Sequence, residues 1–226
     1  MNCGETLVNQ TLPSKLLAYK SKIESILPHK QSIRYDLNTW RRQFGWNENL
    51  EQVAKACPCP ISRTDLFQLS AQAGHTRNIE DILNLFLGVM LWGYGTAGYG
   101  AWRTHQMIST SGSRQTLQVT FEFILDNEIE LAYRKFNLDR CGPPFFTKFF
   151  YFAGFGNKVP KYPLILDTRV YERLKDQIGV DVDRFVKRSS WCWPEGYVRY
   201  VNTIHDWAAE LGCEAHNIEL FLFNLR

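Results

Sequence analysis

The chain has 226 residues, which is enough to bury the core of one compact domain or of two lobes that share an interface. Hydrophobic residues make up 45% of it and charged residues 22%, the proportions of a globular protein in solution. Neither an apolar run of about 20 residues nor a charged segment leading into an apolar one occurs, which argues against a membrane protein and a secreted one. We therefore expect a cytoplasmic protein that acts as a monomer.

The residue types that usually hold metals or cofactors are not clustered in the sequence. The six cysteines have no C-x-x-C spacing, and the histidines show no metal-ligand spacing. Gly-rich phosphate loops and the G-x-S-x-G motif are also missing. The sequence therefore predicts free thiols, no metal and no cofactor.

Positive charge is concentrated in one part of the chain. The formal net charge is +3, but the stretch from Arg134 to Arg199 holds thirteen Lys or Arg against seven Asp or Glu. This local surplus of six is typical either of a surface that binds a polyanion or of an ordinary solvated face.

Hydrophobic periodicity predicts helices along the whole chain. The predicted segments are residues 11–27 up to Pro28, Tyr35–Phe44, Thr64–Ala73, Ile79–Trp92 with Asn78 as its N-cap, Ser113–Phe136, an apolar helix opening near Thr147, Thr168–Ile178, Val182–Arg188, Tyr197–Leu211 and Ala215–Leu225. Strand-like alternation never exceeds four or five residues, so the predicted fold class is all-α.

A proline-rich segment divides the predicted helices into two groups. Cys57-Pro58-Cys59-Pro60 cannot be helical, because each proline biases the residue before it away from the α region. We therefore expect residues 1–63 to form an N-terminal helical segment that packs on the core, and residues 64–226 to form the main domain.

Lys148 and Asp167 are the two chemically reactive groups in the most apolar part of the chain. Lys148 lies in an aromatic run, residues 145–152, where an ammonium group is poorly solvated, so its pKa should be lowered. Asp167 follows an apolar segment and precedes a helical pattern, which makes it an N-cap residue. A softened amine and a fixed carboxylate are the components of an amine-nucleophile site.

The order of elements around this pair resembles the helix-hairpin-helix DNA glycosylases, and most closely their 8-oxoguanine DNA glycosylase branch. In that branch a Thr-Lys pair follows a Gly/Pro-rich hairpin, and the lysine precedes a helix-opening aspartate by nineteen positions. Thr147-Lys148 and Asp167 reproduce both the residue types and the spacing. The resemblance extends from about Asn78 to the C-terminus, and it implies two helical lobes flanking a cleft, with residues 64–226 as the glycosylase-like domain.

The resemblance also implies a role for each of these residues. Lys148 would be the amine that attacks the sugar C1′ carbon, and Asp167 would stabilise the positively charged sugar. Arg169, with the backbone N–H groups of Thr168 and Val170, would hold a DNA phosphate. Arg140, in the preceding connection, is a further phosphate-binding candidate. The implied partner is double-stranded DNA that carries a modified base.

This chain departs from the family pattern in two places. The hairpin positions that are usually glycine are Pro144 and Phe146 here, and a proline has no N–H to offer to a phosphate. The N-terminal β-lobe of the 8-oxoguanine branch also has no counterpart. These departures and the compact all-α layout resemble small antiviral glycosylases that remove α-glucosyl-hydroxymethylcytosine from phage DNA.

A glycosylase must extrude its target base, and aromatic side chains are suited to fill the gap or to hold the base. The turn after Trp92 lies where the superfamily places its gap-filling residue, so Tyr94 or Tyr99 is a wedge candidate; a close-packed helix connection is the alternative. Trp92 itself is a further candidate for the base pocket or the wedge. Phe152, one helical turn after Lys148, would face the base pocket or belong to the core. Trp193 would line the pocket mouth or form a packed corner.

Two other classes of function remain open on sequence grounds. A catalytically silent helix-hairpin-helix module would bind DNA by its shape without a reaction. An all-α interaction protein would use its aromatic residues only for its core or an interface. An 8-oxoguanine repair glycosylase with lyase activity is the alternative within the enzyme class.

Overall fold

A computed structural model describes residues 11–182 and 194–225. Its α-helices are α1 Ser14–Leu17, α2 Lys20–Glu24, α3 Leu37–Phe44, α4 Glu48–Ala56, α5 Arg63–Thr76, α6 Ile79–Tyr94, α7 Tyr99–Ser109, α8 Ser113–Leu125, α9 Ile129–Lys135, α10 Pro143–Gly156, α11 Thr168–Glu172, α12 Pro194–Leu211 and α13 Ala215–Asn224. A 3₁₀ turn spans Pro28–Lys30, and a π-helical segment, Arg173–Ile178, continues α11.

Strand structure is minimal within these residues. Strands β1 (Ser32–Ile33) and β2 (Ile61–Ser62) pair antiparallel. The predicted all-α class is confirmed, and nothing in the described ranges resembles a β-lobe. None of the described helices combines the length and apolar character that crossing a membrane requires.

Helix α6 lies at the centre of the molecule. It packs against α4, α5, α7, α8 and α10, and most of its side chains are buried. Its start is as predicted, because the Asn78 side chain accepts hydrogen bonds from the backbone N–H groups of Glu80 and Asp81. A helix that is apolar on all faces must be surrounded by other helices. The second apolar helix, α10, is one of those that pack directly against α6.

The predicted single helix at Ser113–Phe136 is wrong, because the chain breaks between α8 and α9. Asn127 has a left-handed backbone, with φ of +61°. The N–H of Asn127 donates to the Ile124 carbonyl at 3.0 Å, and the N–H of Glu128 donates to the Phe123 carbonyl at 2.7 Å. This is the Schellman termination of a helix, which asparagine tolerates better than most residues.

Other helix boundaries also differ from the prediction, three of them for reasons visible in the chain. The segment 11–27 is divided into α1 and α2. Helix α10 begins at Pro143 and not near Thr147, because prolines at the first helical positions lose no hydrogen bond there. Helix α6 runs two residues past Trp92 to Tyr94, and the next residue, Gly95, caps it with φ of +56°. The helix predicted at Val182–Arg188 falls, apart from its first residue, outside the described residues.

The described part of the N-terminal segment, residues 11–63, packs on the rest of the molecule through several of its helices. Helix α4 packs on α6, α3 packs on α7, and α2 packs on α13. The segment that contains Cys57-Pro58-Cys59-Pro60 joins α4 to β2. The division at residue 63 stays a prediction; in the structure Arg63 is the first residue of α5.

Candidate active site

Lys148 lies on α10 and is buried. Its residue surface is only 8% exposed. The Nζ atom donates a hydrogen bond to the Pro144 carbonyl, one turn earlier, and lies 5.3 Å from the centre of the Phe145 ring. The helix therefore holds the amine near its own first turn.

Asp167 caps α11 with one carboxylate oxygen and faces Lys148 with the other. Its Oδ1 atom accepts hydrogen bonds from the N–H groups of Arg169 at 3.0 Å and Val170 at 3.2 Å. Its Oδ2 atom is 3.7 Å from Lys148 Nζ. The cap that the sequence predicts therefore also determines the direction of the carboxylate, because a capping side chain has little rotational freedom left.

The segment before Asp167 is held on three sides. The contacts are the Leu166 N–H donating to Thr147 Oγ1 at 3.1 Å, the Tyr197 hydroxyl donating to the Leu164 carbonyl at 2.7 Å, and the Tyr200 hydroxyl donating to the Ile165 carbonyl at 2.9 Å. Buried backbone groups are satisfied in this way without a sheet. The hydrogen bond to Thr147 matters most, because it ties the aspartate segment to the residue adjacent to Lys148.

Burial lowers the pKa of Lys148 below its ordinary value, in the direction that the aromatic run predicts. The carboxylate of Asp167 is the main opposing influence, since a nearby negative charge favours the ammonium form. A neutral amine is thus more accessible here than on an exposed lysine, and a neutral amine is the nucleophilic form.

Lys148 and Asp167 line a cavity of about 120 Å³. Trp92 and Gly93 from α6, Arg63 from α5 and Glu219 from α13 contribute to the same wall. A side chain at Gly93 would meet the Lys148 stem, because a Cβ atom there would lie 3.4 Å from Lys148 Cδ. The absence of a side chain at this position leaves room beside the amine.

Sequence reasoning missed the buried ion pair in this cavity. The guanidinium Nη2 atom of Arg63 lies 3.1 Å from Glu219 Oε2, and both side chains are 1% exposed. Burial is the main influence on Glu219 and raises its pKa, while Arg63 opposes the shift. Two features of the sequence could have indicated it. Arg63 lies in the first turn of α5, where the helix dipole disfavours a positive charge, and Glu219 lies within the apolar run of α13, where an unpaired glutamate is rare.

The aromatic candidates are distributed over three environments. Trp92 lines the cavity. Tyr94 is buried, stacks on Phe145 with ring centres 4.1 Å apart, and covers Gly100 so closely that a Cβ there would lie 2.4 Å from its ring. Tyr99 is 59% exposed.

Of the two remaining aromatic candidates, Phe152 is outside the cavity lining and Trp193 is outside the described residues. Phe152 is fully buried and packs edge-on against the Trp92 ring, behind the cavity wall. Trp193 lies outside the described residues, so its place at a pocket mouth stays a prediction.

The phosphate-binding candidates lie at the surface on two different connections. Thr168 and Arg169 are exposed, Val170 is buried, and the Arg169 guanidinium lies 5.0 Å from the Phe223 ring centre. Since Asp167 already accepts from the Val170 N–H, a phosphate there would have to share that donor. Arg140 is exposed and lies over Trp102, at 5.0 Å from its ring centre.

Metal-binding chemistry is not suggested by the cavity. Over residues 11–182 and 194–225 no group of three or more His, Cys, Asp or Glu side chains is arranged to hold a metal ion. The chemistry available at the site is that of one amine and one carboxylate 3.7 Å apart, beside a buried ion pair.

Comparison with known proteins identifies the family of this chain. The family described as "Putative 8-oxoguanine DNA glycosylase OGG-like protein" matches residues 27–223. No curated protein and no solved structure matches the chain. The matched range contains the amine, the carboxylate and all the helices from α3 to α12. The chain therefore belongs to the 8-oxoguanine DNA glycosylase OGG-like family, a family of DNA glycosylase type with DNA as its partner.

Proposed function

We propose that this protein flips a modified base out of duplex DNA and breaks its N-glycosidic bond, leaving an abasic site. The observation that carries the proposal is the placement of Lys148 Nζ and Asp167 Oδ2 3.7 Å apart in one cavity. The order of events is extrusion of the nucleotide, entry of its base into the cavity, and reaction at the sugar C1′ carbon.

The reaction has two possible nucleophiles. In the first, the neutral amine of Lys148 attacks C1′, the bond between C1′ and the base nitrogen breaks, and the amine proton passes to the departing base. The sugar ring of this lysine adduct then opens as the C1′–O4′ bond breaks, and the Schiff base formed in this way can lead to strand cleavage. In the second, water attacks C1′ and Lys148 only positions the sugar. In both, the Asp167 carboxylate stabilises the positive charge that develops on the sugar.

Two bases are candidates for the substrate. α-Glucosyl-hydroxymethylcytosine in phage DNA is the first, because the all-helical layout and the Pro144 and Phe146 departures resemble the small antiviral glycosylases; the protein would then act in phage defence. 8-Oxoguanine is the second, because the family description names it.

The test compares base release from three duplex substrates under single-turnover conditions: glucosylated phage DNA, unglucosylated phage DNA and DNA with 8-oxoguanine. Borohydride should trap a covalent complex with the wild-type protein and none with Lys148→Gln. Lys161→Gln is the matched control, because Lys161 is an exposed lysine paired with Asp206. Failure to release a base from any of the three would discard the enzyme and leave a silent DNA-binding module.

Asp167→Asn tests the carboxylate without removing the cap, since the amide oxygen of asparagine can accept the same two N–H groups. We expect the rate of base release to fall by about 10²–10³, as for loss of other electrostatic stabilisers, while the protein stays folded. If release persists in Lys148→Gln but is lost in Asp167→Asn, the nucleophile is water. Unchanged release in Asp167→Asn contradicts the role given to the carboxylate.

A further inference from the structure

The hydroxyl group of Thr147 makes two hydrogen bonds at once. It donates to the Pro143 carbonyl at 2.6 Å, and it accepts from the Leu166 N–H at 3.1 Å. The first bond is ordinary for a threonine in a helix, because the hydroxyl can reach the carbonyl four residues back. The second bond crosses nineteen positions of chain to the residue before Asp167. Since a hydroxyl has one proton and two lone pairs, the donation to Pro143 leaves a lone pair for Leu166.

The position of Asp167 depends on contacts of this kind, because the residues before it, 164–166, are neither helix nor strand. Two tyrosines of α12 hold carbonyl groups of this segment from one direction. The hydrogen bond to Thr147 joins the segment to α10, the helix that carries Lys148. Each end of this bond is therefore one residue away from a reactive group.

Two constraints together place the carboxylate beside the amine. The cap fixes the Asp167 carboxylate on α11, and the bond to Thr147 fixes the chain that enters α11 against α10. Thr147 is fully buried, so water does not compete for its hydroxyl. The result is the separation of 3.7 Å between Asp167 Oδ2 and Lys148 Nζ.

We propose that Thr147 is a positioning residue: its hydrogen bond to Leu166 sets the separation between the Lys148 amine and the Asp167 carboxylate. The inference rests on the proposed glycosylase function, in which both groups act at one sugar. Without the bond, the segment that ends at Asp167 is free to move away from α10. Such a movement matters for the reaction, because a displacement of about 1 Å can cost about 10² in rate.

Thr147→Val is the sharpest test, because valine keeps the branched shape of threonine and lacks the hydroxyl. We expect base release under single-turnover conditions to slow by about 10², while binding to an abasic duplex is unchanged. Thr147→Ser keeps the hydroxyl and should restore most of the rate. Thr104→Val is the matched control and should keep the wild-type rate, because Thr104 is also fully buried and donates to the carbonyl four residues back, on α7.

A double variant shows whether Thr147 acts through Asp167. If it does, Thr147→Val should slow release little further once Asp167→Asn has removed the carboxylate. Effects that multiply in the double variant would contradict the proposal. Circular dichroism checks that each variant folds. If Thr147→Val does not fold, Thr147→Cys replaces it, because a thiol sulfur is a weak acceptor; a wild-type rate in the folded variant overturns the proposal.

The pKa of Lys148 gives a second readout, without DNA. The groups whose charge bears on this lysine are Asp167, Glu219 of α13, Arg63 of α5 and Cys141, which precedes α10. The residues of α6 that line the cavity are a tryptophan and a glycine, which do not titrate. Asp167 is the strongest of the influences that favour the ammonium form, so its movement away from the amine should lower the Lys148 pKa further.

Nuclear magnetic resonance titration of the Lys148 side chain measures this pKa in the wild type, Thr147→Val and Thr104→Val. We expect a lower pKa only in Thr147→Val. If that shift occurs but the wild type releases no base, the catalytic proposal fails and the positioning role stands. If the wild type releases base and Thr147→Val changes neither the rate nor the pKa, the positioning role fails alone.

Discussion

At the scale of single residues, the candidate site depends on a short distance between two otherwise ordinary groups. A lysine in an aromatic helix commonly extends to solvent, and an aspartate at a helix start is commonly only a cap. Here the whole lysine residue is only 8% exposed, and the capping carboxylate has its second oxygen 3.7 Å from the lysine amine. Burial and proximity together distinguish this pair from the other Lys and Asp residues within 11–182 and 194–225.

The lowered pKa of Lys148 leads to a pH-dependent rate. Borohydride-trapped complex should form faster as pH rises and level off above the pKa of Lys148, which lies below the 10.5 of an exposed lysine. The reason is that only the neutral amine attacks C1′. The measurement is the rate of trapping across a pH series in duplex DNA. A rate that does not change with pH would contradict a lysine nucleophile.

The lowered pKa of Lys148 also predicts how the free energy of unfolding changes with pH, and this gives an independent check. Between the folded-state pKa of Lys148 and 10.5, the unfolded chain binds more protons at this lysine than the folded chain does. The free energy of unfolding of the wild type should therefore rise with pH in that window, relative to Lys148→Gln, which cannot titrate. Denaturant unfolding of the two proteins at several pH values measures the difference.

At the scale of elements, the position of α10 is set by close contact with α5. The two helices approach where glycine replaces a side chain: a Cβ atom on Gly156 would lie 2.5 Å from Ser70 Cβ and 3.2 Å from the Phe67 carbonyl oxygen. Asn157 stabilises the same crossing, because its amide donates to the Ser70 carbonyl at 3.1 Å. Since α10 also carries Lys148, this crossing places the amine against α6.

Gly156→Ala should destabilise the protein by about 1–3 kcal/mol, the usual cost of overpacking, although alanine is the better helix former. The alanine methyl group would force α10 away from the Phe67 carbonyl oxygen. A backbone atom cannot move aside by changing rotamer, as a side chain can. Gly98→Ala is the control, because nothing lies within 4 Å of a Cβ at Gly98 and its φ is negative. Urea unfolding of both variants measures the effect; equal stability of the two would contradict a tight crossing.

At the scale of the whole molecule, the charge distribution suits a protein that binds DNA. The basic surplus of Arg134–Arg199 includes exposed residues that precede and follow α10 in the sequence, among them Arg140 and Arg169. Each phosphate contact releases counterions from DNA, so affinity for the duplex should fall steeply with salt concentration.

Arg169→Ala should weaken binding to an abasic duplex and reduce the slope of log affinity against log salt by about one. The expected cause is the loss of one phosphate contact beside the cavity. Arg41→Ala is the control, because the Arg41 guanidinium is already paired with Glu51 and should release no counterion on binding. Fluorescence anisotropy over a salt series measures both slopes; a slope in Arg169→Ala equal to the wild-type slope would contradict the phosphate role.

Much of the fold could be predicted from short-range patterns. The Asn78 and Asp167 caps, the apolar helix that follows Asn78 and the helices near the C-terminus were predicted because capping and periodicity involve residues a few positions apart. The break at Asn127 was missed, because the apolar period continues across it and only the left-handed backbone ends the helix.

The sequence by itself determined the reactive groups of this protein: an amine in an aromatic helix and a carboxylate that opens a helix nineteen positions later. Only the tertiary structure decided that the two lie 3.7 Å apart, and that Arg63 meets Glu219 across 156 positions of chain beside them. The physical reason is the distance along the sequence over which each kind of interaction acts. Caps and periods depend on neighbours in sequence, whereas the pairing of buried polar groups depends on which helices pack together and how closely their glycines let them approach.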